Sequence, residues 1–107
     1  MNILITGAAG FVASSLIDFF NKNNPSIKIT GIDDLSFGYK RRLDNLNLKF
    51  INQNIETYTI KNKPEKFDAV IHCAATAPLP DNEINPSKSY ENNVVNPIRI
   101  AEFCTKI

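Results

Sequence analysis

A chain of 107 residues with 43% hydrophobic content has room for one modest core and no second domain. Lysine plus arginine number 12 against 11 acidic residues, a net charge of +1, so neither a basic nucleic-acid-binding surface nor an acidic tail is supported. No stretch approaches the roughly 20 apolar residues of a membrane-crossing helix. Cys73 and Cys104 form no CxxC or His-linked cluster, which argues against a metal or a disulfide and for free thiols in a reducing cytoplasm.

In chain order, "NILIT" at residues 2–6 is a short β-branched run ended by Gly7, the pattern of a buried strand. The small, apolar "ITGAAGFVAS" also invites comparison with a secretory leader. A leader needs a basic region ahead of an unbroken apolar stretch of roughly 7 to 15 residues. Here no Lys or Arg precedes Lys22, and Gly7 and Gly10 interrupt the run. From Gly10 onward Val12, Leu16, Phe19 and Phe20 recur at helical spacing until "NKNNP", where Pro25 stops the pattern. "SIKITGID" predicts a second strand ending at Asp33, "LKFIN" a third, and the continuously apolar "FDAVIHCAA" a fourth, central parallel strand. "IETYTIKNKPEKF" predicts a weak helix, with poor helix formers at Thr57 and Thr59 and a stop at Pro64. In the closing "SYENNVVNPIRIAEFCTKI", Val94, Ile98, Ala101 and Cys104 line one helical face, and Pro97 is tolerated only within a first turn.

Strands alternating with helices predict an α/β, doubly wound parallel sheet of about four strands with right-handed crossovers. Ligands in that class bind beyond the carboxyl ends of the strands. After the first strand come Gly7, Ala8, Ala9, Gly10, Phe11, Val12 and Ala13. Gly7 permits a tight turn, Gly10 lets backbone approach a pyrophosphate, and Ala13 lets helix and strand pack closely. The N–H groups of Phe11 and Val12, with the helix dipole, favour an anion there. No Gly-Lys-Ser/Thr follows, so a P-loop is excluded.

Asp33 ends the second strand about 20 residues beyond the glycine turn, the position at which a carboxylate accepts hydrogen bonds from ribose hydroxyls. The same charge disfavours NADP. At an effective dielectric of about 20, like charges about 5 Å apart repel by roughly 3 kcal/mol, on the order of a hundredfold in affinity. The basic run Lys40, Arg41, Arg42 reads as a solvated face, but it softens that repulsion if its loop folds back over the ribose. His72, with no second ligand or carboxylate partner in the sequence pattern, reads as a packed or locally hydrogen-bonded histidine. Asp33-Asp34 follows the second strand rather than the first, unlike the acidic pair of a receiver domain.

The segments "ILITGAAGFVAS", "GIDDLSFG", "FINQNIE", "DAVIHCAA" and "NPSKSYENNVVNPIRIAEFC" together resemble the extended short-chain dehydrogenase/reductase family, the NAD-dependent epimerases and dehydratases of nucleotide sugars. The resemblance runs over essentially the whole chain and implies a Rossmann-like fold. It implies a ribose ligand at Asp33 and a loop through Asp34, Ser36 and Gly38 running past the adenosine. Asn54, beside Ile55, stands where the family has an adenine-contacting Asp. Cys73, Ala74, Ala75, Thr76 and Ala77 match the segment beneath the cofactor, and either Asn92 or Asn93 matches an Asn near the nicotinamide half. Asn96 and Pro97 replace the family's usual Gly-Thr. NAD is thus the implied cofactor, with NADP disfavoured, and a nucleotide-sugar substrate and a homodimer are implied for the full-length protein.

The family's catalytic group is a Ser or Thr with a Tyr-xxx-Lys pair, in which Lys lowers the Tyr pKa for proton transfer. Four residues beyond Tyr39, Tyr58 and Tyr90 stand Leu43, Asn62 and Val94, so no catalytic residue is expected within residues 1–107. The expectation is an amino-terminal part of a dinucleotide-binding domain, without the Tyr-xxx-Lys segment or the substrate lobe. The alternative is a non-catalytic, dinucleotide-sensing module of the same fold.

Overall fold

The computed structural model describes residues 1–64, 67–75 and 85–106. Strand β1 (Asn2–Thr6) lies between two parallel neighbours, β2 (Lys28–Asp33) and β4 (Ala69–His72), and β3 (Lys49–Asn52) pairs in parallel with β2. The sheet order is β3-β2-β1-β4. Its sense reverses between β1 and β4, and this crevice at the carboxyl ends is where doubly wound folds hold ligands.

Alternation along β1 sends its side chains into two cores. Ile3 and Ile5 pack with Ala13 and Ile17 of helix α1 (Phe11–Asn23) on one face. Leu4 joins Ile32, Ile55, Tyr58, Ile100 and Phe103 on the other. That second face is covered by α2 (Ile55–Lys61) and by a helix built from α3 (Pro86–Tyr90), a π-helical turn (Glu91–Val95) and α4 (Asn96–Cys104). The rings of Tyr58 and Phe103 meet at 5.9 Å between centroids, joining α2 to α4.

Three sequence expectations are revised. In α1 the innermost residues are Ala13, Ser14 and Ile17 rather than the larger Val12 and Phe19, which are exposed, while Leu16 and Phe20 are partly buried. A small residue at position 13 lets the helix approach the sheet, and the bulkier side chains are turned to the rim. The run expected to be a central strand is shorter than predicted, and among the described residues β4 is paired on one side only. In the closing helix the buried face is Asn96, Ile100 and Phe103, whereas Val94 and Ile98 are exposed.

A π-helical turn lies immediately before Pro97 in the same helix. In a regular α-helix the Pro97 ring presses on the carbonyl four residues back and supplies no N–H. Widening the preceding turn relieves that clash, and the Asn96 N–H donates to the carbonyl of Glu91, five residues back. Pro97 therefore sits within a continuous helix instead of at its start.

Candidate functional site

Gly7 adopts φ 67, a left-handed conformation that only glycine enters at low cost. A Cβ there would lie 2.8 Å from the backbone of Ala74, so the glycine is required by close approach as well. The Gly10 N–H donates to the Gly7 carbonyl at 2.9 Å, and Gly10 then caps α1. The first N–H bonded within the helix is that of Ser14, to the Gly10 carbonyl at 3.0 Å. The preceding N–H groups of Phe11, Val12 and Ala13 have no acceptor in their own helix, and the first turn carries no acidic residue. This helix end is electrically prepared for an anion.

Asp33 closes on the same turn. Its Oδ2 accepts from the Ala9 N–H at 2.9 Å and its Oδ1 from the Leu35 N–H at 2.8 Å. A carboxylate has about four acceptor positions, so two bonds to backbone leave capacity for two hydroxyls. Leu35 has φ 64, strained for a branched side chain; its N–H bond to Asp33 and its packing on the α1 core hold it there. Asp34 Oδ1 accepts from both the N–H and the hydroxyl of Ser36, at 3.0 and 2.6 Å. The loop is latched back onto the glycine turn, where the Tyr39 N–H donates to the Ala9 carbonyl at 3.0 Å. Gly38 is pressed so closely on this contact that a Cβ would meet Asp33 Oδ2 at 2.8 Å and Ala9 at 2.9 Å.

The far wall is fixed by Thr6, fully buried at the end of β1. Its Oγ1 accepts from the N–H groups of Cys73 and Ala74 at 3.0 and 3.2 Å. With two donors already pointing at this oxygen, its proton goes to His72 Nδ1, 2.6 Å away. That bond needs a neutral imidazole with its proton on Nε2, an atom that is buried and has no hydrogen-bond partner among the described residues. Burial pushes the His72 pKa below its ordinary 6.5 and the Cys73 thiol pKa up. His72 is thus the locally hydrogen-bonded histidine expected, and both cysteines are free and half-buried.

A pH dependence follows from the sign of the His72 shift. The unfolded chain binds the proton more readily than the folded one, so this contribution to stability is present above the unfolded value and declines as pH falls through the range below it. Thermal melts at pH 7.5 and 5.5 should show the chain losing stability at the lower pH. In His72→Gln that loss should be smaller; an identical slope in the variant would mean that the Thr6–His72 pair does not carry the effect.

These elements enclose a cavity of about 610 Å³. Of the residues predicted from sequence, Gly7, Gly10, Phe11 and Val12 line it at the turn, and Asp33, Asp34, Ser36 and Gly38 along the β2 loop. Asn54 and Ile55 line it at the start of α2, and Cys73, Ala74 and Ala75 beyond β4. Asn54 also caps α2, its Oδ1 accepting from the Thr57 N–H at 2.8 Å. Of the two candidate asparagines Asn92 is on the cavity wall; Asn93 is exposed and is not part of it. Thr76 and Ala77 lie outside the described residues.

Sequence reasoning does not find Gln53, Glu56, Lys88, Glu91 or Asn96, all on the wall. The last three lie along the closing helix, on its first segment, its π-helical turn and the segment after it. Arg42 belongs to the run that reads as solvated, yet it lines the cavity, with its guanidinium 3.4 Å from the Ala9 carbonyl and stacked 4.9 Å from the Tyr39 ring centre. Arg41 stacks on the same ring outside the cavity. Among the described residues no cluster of His, Cys, Asp or Glu is placed to hold a metal ion, and no helix is long and apolar enough to cross a membrane.

The model of the NAD dependent epimerase/dehydratase family matches residues 3–107. A UDP-glucose 4-epimerase from Lactobacillus helveticus is 30% identical over 105 residues, covering 95% of this chain and 31% of that relative. A dTDP-D-glucose 4,6-dehydratase from Dictyostelium discoideum is 36% identical over 111 residues, covering 95% of this chain and 25% of the relative. Among solved structures, the UDP-Glc/GlcNAc 4-epimerase of Campylobacter jejuni superposes with a TM-score of 0.82 at 33% identity, over 97% of this chain and 33% of its own. The UDP-glucuronic acid 4-epimerase of Bacillus cereus in complex with NAD gives a TM-score of 0.86 at 26% identity, over 100% of this chain and 36% of its own. The chain therefore spans about a third or less of the length of these relatives.

Proposed function

This chain belongs to the NAD dependent epimerase/dehydratase family, and from that premise we propose that it forms the NAD-binding part of an enzyme that acts on a nucleotide sugar by transient hydride transfer. The observation that carries the reading is the pairing, across one cavity, of the α1 N-terminus without an acid in its first turn and the Asp33 carboxylate held beside it. The residues fit a dinucleotide: helix N–H groups for a diphosphate, a carboxylate for ribose hydroxyls, and Asn54 with Ile55 for the adenine. When bound, NAD supplies the site that accepts and returns a hydride; the residues here bind and orient it. Asp33 favours NAD over NADP by charge repulsion. With no Tyr-xxx-Lys in these 107 residues, this part is expected to bind the cofactor and turn nothing over.

The exposed stripe Tyr90, Val94 and Ile98 suits a homodimer contact in the whole enzyme, and the two free thiols suit a reducing cytoplasm. A second reading is a dinucleotide-sensing module without catalysis, which uses the same cavity. Calorimetry on the folded chain tests what both share: saturable heat is expected with NAD and with ADP-ribose. Absence of heat for either at millimolar ligand ends the cofactor reading.

A further inference from the structure

Four acidic side chains, Asp33, Asp34, Glu56 and Glu91, stand on the cavity wall against two basic ones, Arg42 and Lys88. An excess of negative charge opposes the entry of an anionic ligand. Two of the four acids are engaged within the β2 loop, where Asp33 accepts from the Ala9 and Leu35 N–H groups and Asp34 from Ser36. Glu56, in the first turn of α2, and Glu91, in the π-helical turn, are not held in that way. Among the described residues the cation paired with each of them is the same one, Arg99, whose guanidinium donates to Glu91 Oε1 at 2.8 Å and lies 3.6 Å from Glu56 Oε2.

Arg99 does not line the cavity. It lines the groove on the other side of α2 and α4, beside Glu102 and Lys106, and a 2.8 Å bond from its guanidinium to Asn96 Oδ1 fixes it there. Its side chain is 27% exposed, against 54% for Glu56 and 41% for Glu91, so the cation is the most enclosed member of the trio and the least screened by salt. The planar fork of a guanidinium lets one side chain serve two carboxylates from one position. We propose that Arg99 is a positioning residue for the anionic cofactor, acting through Glu56 and Glu91 as the shared counter-charge that holds both carboxylates toward the helices and offsets their repulsion of the diphosphate. The inference rests on the cofactor reading above and adds how a wall with more acids than bases accepts an anion.

A charge effect is separated from a packing effect by salt. The 107-residue wild type, Arg99→Gln, Arg99→Lys and the double variant Arg99→Gln with Glu91→Gln are titrated with ADP-ribose by calorimetry at about 0.01 M and about 1 M salt, where charges act over roughly 30 Å and roughly 3 Å. Thermal melts run alongside to confirm folding. Arg99→Gln should bind ADP-ribose about fivefold more weakly than the wild type at low salt, the effect of one unit charge on two phosphates about 10 Å away. At high salt the two should agree within about twofold. Arg99→Lys keeps the charge and should match the wild type at both salts, and the double variant should recover part of the low-salt loss because one uncovered carboxylate is gone. A loss in Arg99→Gln that is as large at high salt assigns a packing role and overturns the proposal, as does no loss at low salt or an equal loss in Arg99→Lys. If the wild type binds no ADP-ribose, the cofactor reading fails and the proposal with it; wild-type binding without a salt-dependent loss in Arg99→Gln overturns the proposal alone.

Discussion

Gly7→Ala is expected to lower the unfolding free energy by about 3 kcal/mol, combining a left-handed residue's cost of roughly 1–2 kcal/mol with the displacement of packed backbone. The native φ is 67, and the added Cβ would sit 2.8 Å from the Cα and N of Ala74 and 2.9 Å from the carbonyl carbon of Cys73. Those contacts are backbone, anchored by the two N–H bonds to Thr6 Oγ1, so no side chain can swing aside. Against a typical total of about 5–15 kcal/mol, the loss is large enough for urea unfolding to report it directly. Gly10→Ala is the internal comparison. Its φ is −79, open to any residue, and among the described residues the added Cβ meets the Gly7 carbonyl alone, at 3.1 Å, so its stability should stay within about 1 kcal/mol of wild type. Equal losses at the two glycines would show that the chain does not hold the turn against the exit of β4 in this way.

Asp33→Ala should weaken NAD binding about tenfold and shift the NADP-to-NAD preference about a hundredfold. The first figure follows from one lost charged hydrogen bond, the second from removing roughly 3 kcal/mol of repulsion toward a 2′-phosphate. Two further effects act at the same place. The Ala9 and Leu35 N–H groups lose their carboxylate and become donors for a phosphate. Arg42, already against the Ala9 carbonyl and stacked on Tyr39, provides a fixed cation on the same wall. Titration with ADP-ribose and its 2′-phosphate is the measurement, and adding Arg42→Ala to Asp33→Ala should return part of the shift. An unchanged ratio in Asp33→Ala removes Asp33 from the ribose role.

Some of this is legible in the residues themselves, and the reason is the short range of the physics involved. The β-branched run of β1, the positive φ demanded at Gly7, the helix that begins after Gly10 and the acid at the end of β2 are each decided by backbone sterics or by neighbours a few positions away. Asp33 is legible because a strand's length fixes where its end lies relative to the glycine turn that closes the neighbouring strand β1. Arg42 is not, for the opposite reason. A basic run looks solvated until a contact such as Tyr39 N–H to the Ala9 carbonyl, across 30 residues of chain, folds its loop inward.

The order of strands and helices, the glycine turn and the acidic strand end can be read from the residues alone, because they are set by local chemistry. Which face of the last helix is buried, whether Asn92 or Asn93 meets the cavity, and the reach of Arg99 to Glu56 on α2 emerge only once the chain is folded. Those outcomes depend on how the closing helix packs against α2 and the sheet. Which face of a helix is buried is set by the surface it meets, and no window of sequence reports that surface until the chain has folded.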